Sequence, residues 1–112
     1  MKTYIFNDLN NSLISVLMPA YNAEKYIKEA IESILNQTFS NFEFIIIDDG
    51  SIDATEEIIK SFKDSRIVYI KNEKNLGLIK TLNKGISIAR GEFIARMDSD
   101  DISMPQRFEL QL

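Results

Sequence analysis

Three carboxylates within four residues, Asp98, Asp100 and Asp101, directly follow a short, mostly apolar run at residues 93–97. Two carboxylates held about 4 Å apart repel by roughly 4 kcal/mol at an effective dielectric constant near 20, so a fold that gathers three of them needs solvent, a proton or a cation. Hard cations such as Mg²⁺ and Mn²⁺ take oxygen ligands of this kind, while phosphate and water complete their coordination. The cluster therefore indicates a divalent-metal site, although a solvated acidic turn has the same short pattern.

The elements that must position this cluster alternate regularly along the chain. Apolar runs near 13–18, 42–47, 67–70 and 92–97 predict four strands, and residues at helical spacing lie between them. The run at 42–47 is almost continuously apolar, which is typical of a strand covered on both faces of a parallel sheet. The sequence therefore predicts an α/β fold with a Rossmann-like, doubly wound, mainly parallel sheet, preceded by an N-terminal arm at 1–12.

Polar residues follow three of these predicted strands. Pro19 and Tyr21 come at the end of the first, Asp48 and Asp49 after the second, and the acid cluster after the fourth. In open α/β sheets, ligands bind outside the carboxyl ends of the strands, where the strand order reverses. The three groups are therefore expected to converge at one edge of the sheet.

Single residues set the expected boundaries of the elements. Pro19 is expected to end the first strand, Asn22 to cap the first helix and Gly91 to end the third. The third helix is expected to bury four apolar residues on one face: Ile79, Leu82, Ile86 and Ala89.

The composition excludes several classes of function. With 112 residues, 45% hydrophobic and 27% charged, the chain is ordinary for one soluble domain. It has no cysteine and no histidine, which excludes disulfide frameworks, cysteine nucleophiles and histidine-based triads or metal sites within it. The formal charge of −4 argues against a general nucleic-acid binder, and no apolar run is long enough to predict a transmembrane helix.

Three known types of site compete to explain the acidic residues and the alternating elements. An EF-hand is excluded because Ser103 stands where its loop requires glycine and Pro105 falls inside that loop. Dinucleotide-binding and P-loop sites need glycine-rich turns, which the segment after the first strand lacks. A receiver-type, phospho-accepting domain stays open because of Asp48 and Asp49, although that pair follows the second strand and a separate acid cluster follows the fourth.

Several short motifs occur in an order typical of one known family. They are Ser-Val-Leu-Met-Pro-Ala-Tyr-Asn at 15–22, Ser-Ile-Leu-Asn-Gln-Thr at 33–38, Ile-Asp-Asp-Gly-Ser at 47–51, Asn-Leu-Gly at 75–77, Asn-Lys-Gly-Ile at 83–86, Ala-Arg-Gly-Glu-Phe-Ile at 89–94 and Asp-Ser-Asp-Asp at 98–101. Together they resemble the N-terminal half of glycosyltransferase family 2. The resemblance implies a GT-A fold that binds a nucleotide-diphosphate sugar with Mg²⁺ or Mn²⁺. It also implies inverting transfer of a hexosyl or N-acetylhexosaminyl group to an acceptor hydroxyl, in polysaccharide or glycoconjugate biosynthesis.

The resemblance also implies roles for the nucleotide-binding residues. Tyr21, next to Pro19, would lie against the nucleobase, and Asp49 would accept a hydrogen bond from a base N–H, as expected for the uracil of a UDP-sugar. Some family members place a basic residue near Gly77, for which Lys80 is a weak substitute here. Structural alternatives stay open, since Tyr21 could pack against the next helix and Asp49 could cap one.

By the same resemblance, Asp98 would lie beside the ribose and the metal, and Asp100 would be the principal metal ligand of the DxD motif. The general base is expected beyond Leu112, so residues 13–112 are predicted to be the donor-binding half of a longer domain, inactive alone. The carbohydrate or lipid-linked acceptor would bind the other half, in the cytoplasm or at the inner face of a membrane. A non-catalytic nucleotide-binding module is the remaining alternative.

Overall fold

The computed structural model describes residues 13–37 and 41–97, which form a four-stranded sheet with three helices. The elements are β1 (Ile14–Ala20), α1 (Ile27–Leu35), β2 (Phe42–Asp48), α2 (Thr55–Ser61), β3 (Ile67–Lys71), α3 (Leu78–Ile88) and β4 (Phe93–Arg96). All neighbouring strands are parallel, in the order β3-β2-β1-β4. The predicted α/β class with a parallel sheet is confirmed, and the strand bounds nearly match those predicted. No helix in this part of the chain is long and apolar enough to cross a membrane.

The strand order reverses at β1. After β1, the chain adds β2 and then β3 on one side of β1. The connecting helices α1 and α2 cover one face of the sheet. It then returns through α3 on the opposite face, where Leu17, Ile45 and Ile47 form the second part of the core, and β4 joins the free side of β1. Because β1 and β2 are central and covered on both faces, β2 is buried along its whole length. The reversal places a ligand-binding crevice at the carboxyl ends of these strands.

Pro19 lies inside β1 instead of ending it, opposite Ile47 of β2. The Leu17 carbonyl accepts a hydrogen bond from the Met97 N–H at 3.0 Å, so the backbone groups of Leu17, and of Pro19 two residues later, are directed toward β4. The pairing of β1 with β4 stops at Leu17 opposite Arg96. Pro19 therefore removes no hydrogen bond from the ladder of the described strands, which is why a proline is tolerated in a central strand.

The helix α3 buries a different face from the one predicted by its apolar residues. Its buried positions are Thr81 and Gly85, whereas Ile79 is 75% exposed and Ile86 is 51% exposed. A Cβ on Gly85 would lie 2.2 Å from a leucine methyl of β1, so the missing side chain lets the helix backbone lie directly on the sheet. The other two residues of the predicted face do pack against the sheet: Leu82 and Ala89.

A buried carboxylate at the amino end of the sheet holds the end of α3 against β1 and β2. The Oε2 of Glu43 accepts hydrogen bonds from the Ser15 hydroxyl at 2.6 Å and from the Arg90 N–H at 2.6 Å, and its Oε1 accepts one from Arg90 Nε at 3.1 Å. The Ser15 Oγ accepts a hydrogen bond from the Gly91 N–H, and a Cβ on Gly91 would lie 2.6 Å from the Ser15 nitrogen. Gly91 therefore does not end α3, which stops at Ile88, but permits this close approach to β1.

Glu43→Gln is expected to lower the free energy of unfolding by about 2 kcal/mol at neutral pH, because an amide cannot accept all of these hydrogen bonds. Burial alone would raise the pKa of Glu43, but the hydrogen bonds from Ser15 and Arg90 and the charge of Arg90 hold it below 4.5. Since the folded pKa lies below the unfolded one, this contribution is complete well above 4.5 and is lost as the pH falls through the folded pKa.

Urea unfolding of the wild type and the variant, near pH 7 and near pH 3, measures this contribution. The difference between the two proteins should shrink at the lower pH. Glu32→Gln, at an exposed position of α1 beyond its first turn, is the matched control and should change the free energy of unfolding by less than about 0.5 kcal/mol. An equal loss for Glu43→Gln at both pH values would show that its charge does not stabilise the fold.

Candidate functional site

A cleft lies at the carboxyl edge of the sheet, between the residues that follow β1 and the start of α3. Its volume is about 580 Å³, a size ordinary for small-molecule sites. Its lining includes residues from β1, from the segments after β1 and β2, from the loop before α3, from α3 and from β4: Pro19, Tyr21, Asp49, Gly77, Thr81 and Arg96. The cleft therefore joins the ends of three strands, as expected for a parallel sheet whose order reverses.

Three of the residues predicted to bind a nucleotide line this cleft: Pro19, Tyr21 and Asp49. Tyr21 is 49% exposed, and Asp49 is 5% exposed. Lys80 is exposed on the first turn of α3 and does not line the cleft, whereas Thr81 beside it does. The structure therefore brings the predicted tyrosine and aspartate into one cleft and leaves Lys80 outside its walls; their roles in binding stay predictions.

The predicted metal ligands Asp98 and Asp100 lie outside the described residues, and their role stays a prediction. The strand that leads to them ends at Arg96, which lines the cleft, and the Met97 N–H is still bonded to β1. Two carboxylates are a donor set that suits Mg²⁺ or Mn²⁺. Within 13–37 and 41–97, no group of three or more acidic side chains is placed to hold a metal.

Asp49 accepts three hydrogen bonds from the loop that leads into α3, residues 72–77. Its Oδ1 accepts from the Asn72 Nδ2 and from the Leu76 N–H, both at 2.8 Å, and its Oδ2 accepts from the Gly77 N–H at 3.0 Å. Burial alone would raise the pKa of Asp49, but these donors outweigh it and hold the pKa below 3.8. Since Gly77 immediately precedes α3, the carboxylate also lies at the positive end of the helix dipole. Asp49 is therefore ionised at neutral pH and can only accept hydrogen bonds.

Asn72 holds the Asp49 carboxylate in place from behind. It is buried, and its Nδ2 donates to Asp49 Oδ1 and, at 3.2 Å, to the Thr81 hydroxyl, while its Oδ1 accepts from Lys84 Nζ at 2.8 Å. Its backbone N–H donates to the carbonyl of Asp48 at 2.8 Å. One side chain thus connects the ends of β2 and β3 to α3. The sequence alone does not indicate Asn72 or Thr81, because the carboxylate that they surround lies 23 or more residues earlier in the chain.

Asn22 joins the segment after β1 to the segment after β2 instead of capping α1. The helix begins at Ile27, and no side chain caps its start. The Asn22 Oδ1 accepts a hydrogen bond from the Ile52 N–H at 2.9 Å, and the Asn22 N–H donates to the Ser51 hydroxyl at 2.9 Å. Asn22 also has a positive φ of 47°, a conformation that asparagine tolerates better than most residues. These bonds fix the backbone that carries Tyr21 at the wall of the cleft.

Asp48 is fully buried and supports the turn after β2. Its Oδ1 accepts a hydrogen bond from the Ser51 N–H at 2.9 Å, and its Oδ2 accepts one from the Tyr69 hydroxyl at 3.4 Å. Burial, together with the negative charges of Asp48 and Glu56, raises the pKa of Tyr69, which therefore stays a donor. The carboxylates of Asp48 and Asp49 both accept hydrogen bonds that hold the ends of the strands together, so they act as structural acceptors and the receiver-domain alternative is not supported.

Arg96 also lines the cleft, although it is not among the residues predicted from the sequence. It is the last residue of β4, is exposed, and is the cationic side chain among the described residues that line the cleft. The sequence does contain an indication of this position. Arg96 is a charged residue within a short apolar run and lies two positions before Asp98.

Comparison with known proteins gives a consistent result. The sequence profile of Glycosyl transferase family 2 matches residues 15–112. The uncharacterized glycosyltransferase MJ1057 of Methanocaldococcus jannaschii is 51% identical over 108 residues, which cover 93% of this chain and 37% of that protein. The UDP-Glc:alpha-D-GlcNAc-diphosphoundecaprenol beta-1,3-glucosyltransferase WfgD of Escherichia coli is 40% identical over 104 residues, covering 93% of this chain and 41% of WfgD.

Among solved structures, residues 1–349 of Staphylococcus aureus TarS in complex with UDP-GlcNAc superpose with a TM-score of 0.82 at 33% identity. The match covers 88% of this chain and 29% of the TarS chain. The chain thus spans well under half the length of these relatives.

Proposed function

Because the chain belongs to glycosyl transferase family 2, we propose that it is the donor-binding part of a glycosyltransferase and that its cleft binds the nucleotide of a UDP-sugar. The observation that carries this proposal is the ionised Asp49 at the wall of the cleft. Support also comes from TarS, which is 33% identical and was solved with UDP-GlcNAc.

The ionised carboxylate of Asp49 favours uracil over cytosine as the bound base. Its Oδ2 accepts a hydrogen bond from the Gly77 N–H at 3.0 Å, and a carboxylate oxygen can accept a second one from a ligand. Because the carboxylate cannot donate, the group that faces it must be a hydrogen-bond donor, and on the edge of a nucleobase this is an N–H. Uracil offers one at N3, whereas cytosine has an acceptor nitrogen there. The ring of Tyr21 supplies a face on which the base can stack, an interaction worth about 1–3 kcal/mol.

The diphosphate and the sugar would extend from the base toward the end of β4. In this proposal Asp98 and Asp100 hold Mg²⁺ or Mn²⁺. When bound, such an ion stabilises negative charge on the departing nucleoside diphosphate. The described residues of the cleft would bind and orient the nucleotide. Asp49 and Tyr21 would hold the base, and Pro19 would form the wall beside it.

Transfer itself would need a general base within about 3 Å of the acceptor hydroxyl. We place that base, and the site for a carbohydrate or lipid-linked acceptor, in the part of the protein that corresponds to the longer remainder of the relatives. The transferred group is then a hexosyl or N-acetylhexosaminyl unit, and the donor site faces the cytoplasm.

Isothermal titration calorimetry of the purified protein tests this function. We expect UDP to bind in the presence of Mn²⁺ or Mg²⁺, and Asp100→Ala to abolish the dependence of that binding on the metal. Asp64→Ala is the control, because Asp64 pairs with Arg66 and does not line the cleft. Failure of UDP to bind, or equal binding with and without metal in the wild type, would overturn the proposal.

A further inference from the structure

We infer that Arg96 binds the diphosphate of the donor and compensates its charge together with the metal. This inference rests on the proposed function and adds a residue to it. Arg96 ends β4 opposite Leu17 and lines the same cleft as Tyr21 and Asp49. It precedes Asp98, the first of the predicted metal ligands, by two positions in the sequence.

The balance of charge in the cleft requires such a cation. A divalent metal held by two carboxylates, Asp98 and Asp100, is formally neutral as a unit. The diphosphate of a UDP-sugar therefore brings two negative charges that this unit does not offset, and the leaving UDP brings one more. The chain as a whole has a formal charge of −4, so its general field does not attract an anion either. A positive side chain at the wall of the cleft supplies the missing compensation.

A guanidinium is suited to this task. It is planar, stays protonated at all relevant pH values and presents five donors in a fork that matches phosphate oxygens. Arg96 already takes part in an interaction within the protein, and five donors allow it to keep one partner while binding another. Lys80, the cation that the sequence suggested, is outside the walls of the cleft.

Titrations of the purified protein with UDP and with uridine, in Mn²⁺, separate the diphosphate from the base. Arg96→Gln is expected to weaken UDP binding about tenfold or more, while uridine, which lacks the diphosphate, binds within about twofold of the wild type. Arg96→Lys keeps the charge without the fork and should recover part of the loss. Lys28→Gln, an exposed position on α1, removes the same charge and should leave UDP binding unchanged.

The outcomes are distinguishable. If the wild type binds neither UDP nor uridine, the proposed function fails and the inference fails with it. If Arg96→Gln binds UDP as the wild type does, or if Lys80→Gln causes the loss instead, the inference is wrong and the proposed function stands. Equal weakening of UDP and uridine in Arg96→Gln would mean that Arg96 shapes the cleft without contacting the diphosphate, which also overturns the inference.

Discussion

Asp49→Asn is expected to lower the free energy of unfolding by about 3 kcal/mol at neutral pH, although it changes only one atom and removes one charge. The carboxylate accepts three hydrogen bonds, from Asn72, Leu76 and Gly77, in a nearly buried position. The amide nitrogen of an asparagine must face at least one of these donors. A buried donor left without an acceptor costs about 1–3 kcal/mol, and the lost charge also weakens the remaining bonds.

The pH dependence of this loss identifies its cause. Because the folded pKa of Asp49 is below 3.8, the ionised carboxylate stabilises the fold above that value, and the contribution disappears as the pH falls through the folded pKa. Denaturant unfolding near pH 7 and near pH 3 should therefore show a smaller difference between the wild type and Asp49→Asn at the lower pH. The control Glu32→Gln removes an exposed carboxylate of α1 and should cost less than about 0.5 kcal/mol.

Asp49→Asn should also change ligand preference, since an amide can donate as well as accept. The ratio of UDP to CDP affinity is expected to fall at least tenfold in the variant.

An Asp49→Asn protein as stable as the wild type would mean that the three hydrogen bonds do not support the 72–77 loop.

The sheet could be predicted from the sequence because its central strands carry a continuous signal. β2 is buried on both faces, so its residues are apolar almost without interruption, and the alternation with helices then implies parallel pairing. The position of the cleft followed from the same rule, since polar residues after parallel strands must meet at one edge. Both predictions depend only on local pattern and chain order.

The buried face of α3 could not be predicted in the same way. Isoleucines at 79 and 86 lie at helical spacing and indicate a core face, yet they are exposed. The face that packs on the sheet is defined by Gly85, whose contact with the sheet depends on how closely two elements approach. The residue types alone do not determine the distance between the backbone of α3 and the sheet.

The partners of the polar residues could not be predicted either. The sequence shows that Asp49 and Asn22 are present at the ends of strands, and local rules then suggest helix caps. Asp49 instead binds Leu76 and Gly77, 27 and 28 residues away, and Asn22 binds Ile52, 30 residues away. Such partners are determined by which loops the finished sheet brings together. Arg96 differs, because its position two residues before Asp98 can be read from the sequence.

Gly50→Ala is expected to lower the free energy of unfolding by about 3 kcal/mol for two reasons that add. Gly50 has a positive φ of 77°, which costs an alanine roughly 1–2 kcal/mol. A Cβ at this position would also lie 2.7 Å from the backbone nitrogen of Asn75 and 2.7 Å from the carbonyl carbon of Lys74. These are backbone atoms of the 72–77 loop, which cannot rotate away as a side-chain terminus would, and forced overpacking costs about 1–3 kcal/mol.

Gly50→Asn separates the two reasons, because asparagine tolerates a positive φ but still carries a Cβ. If contact with the 72–77 loop dominates, Gly50→Asn should be destabilised about as much as Gly50→Ala in denaturant unfolding, and both should weaken UDP binding, because the loop that holds Asp49 must move. A Gly50→Asn variant with nearly wild-type stability would show that only the backbone conformation requires glycine. The close packing of the turn after β2 against this loop would then contribute nothing to the shape of the cleft.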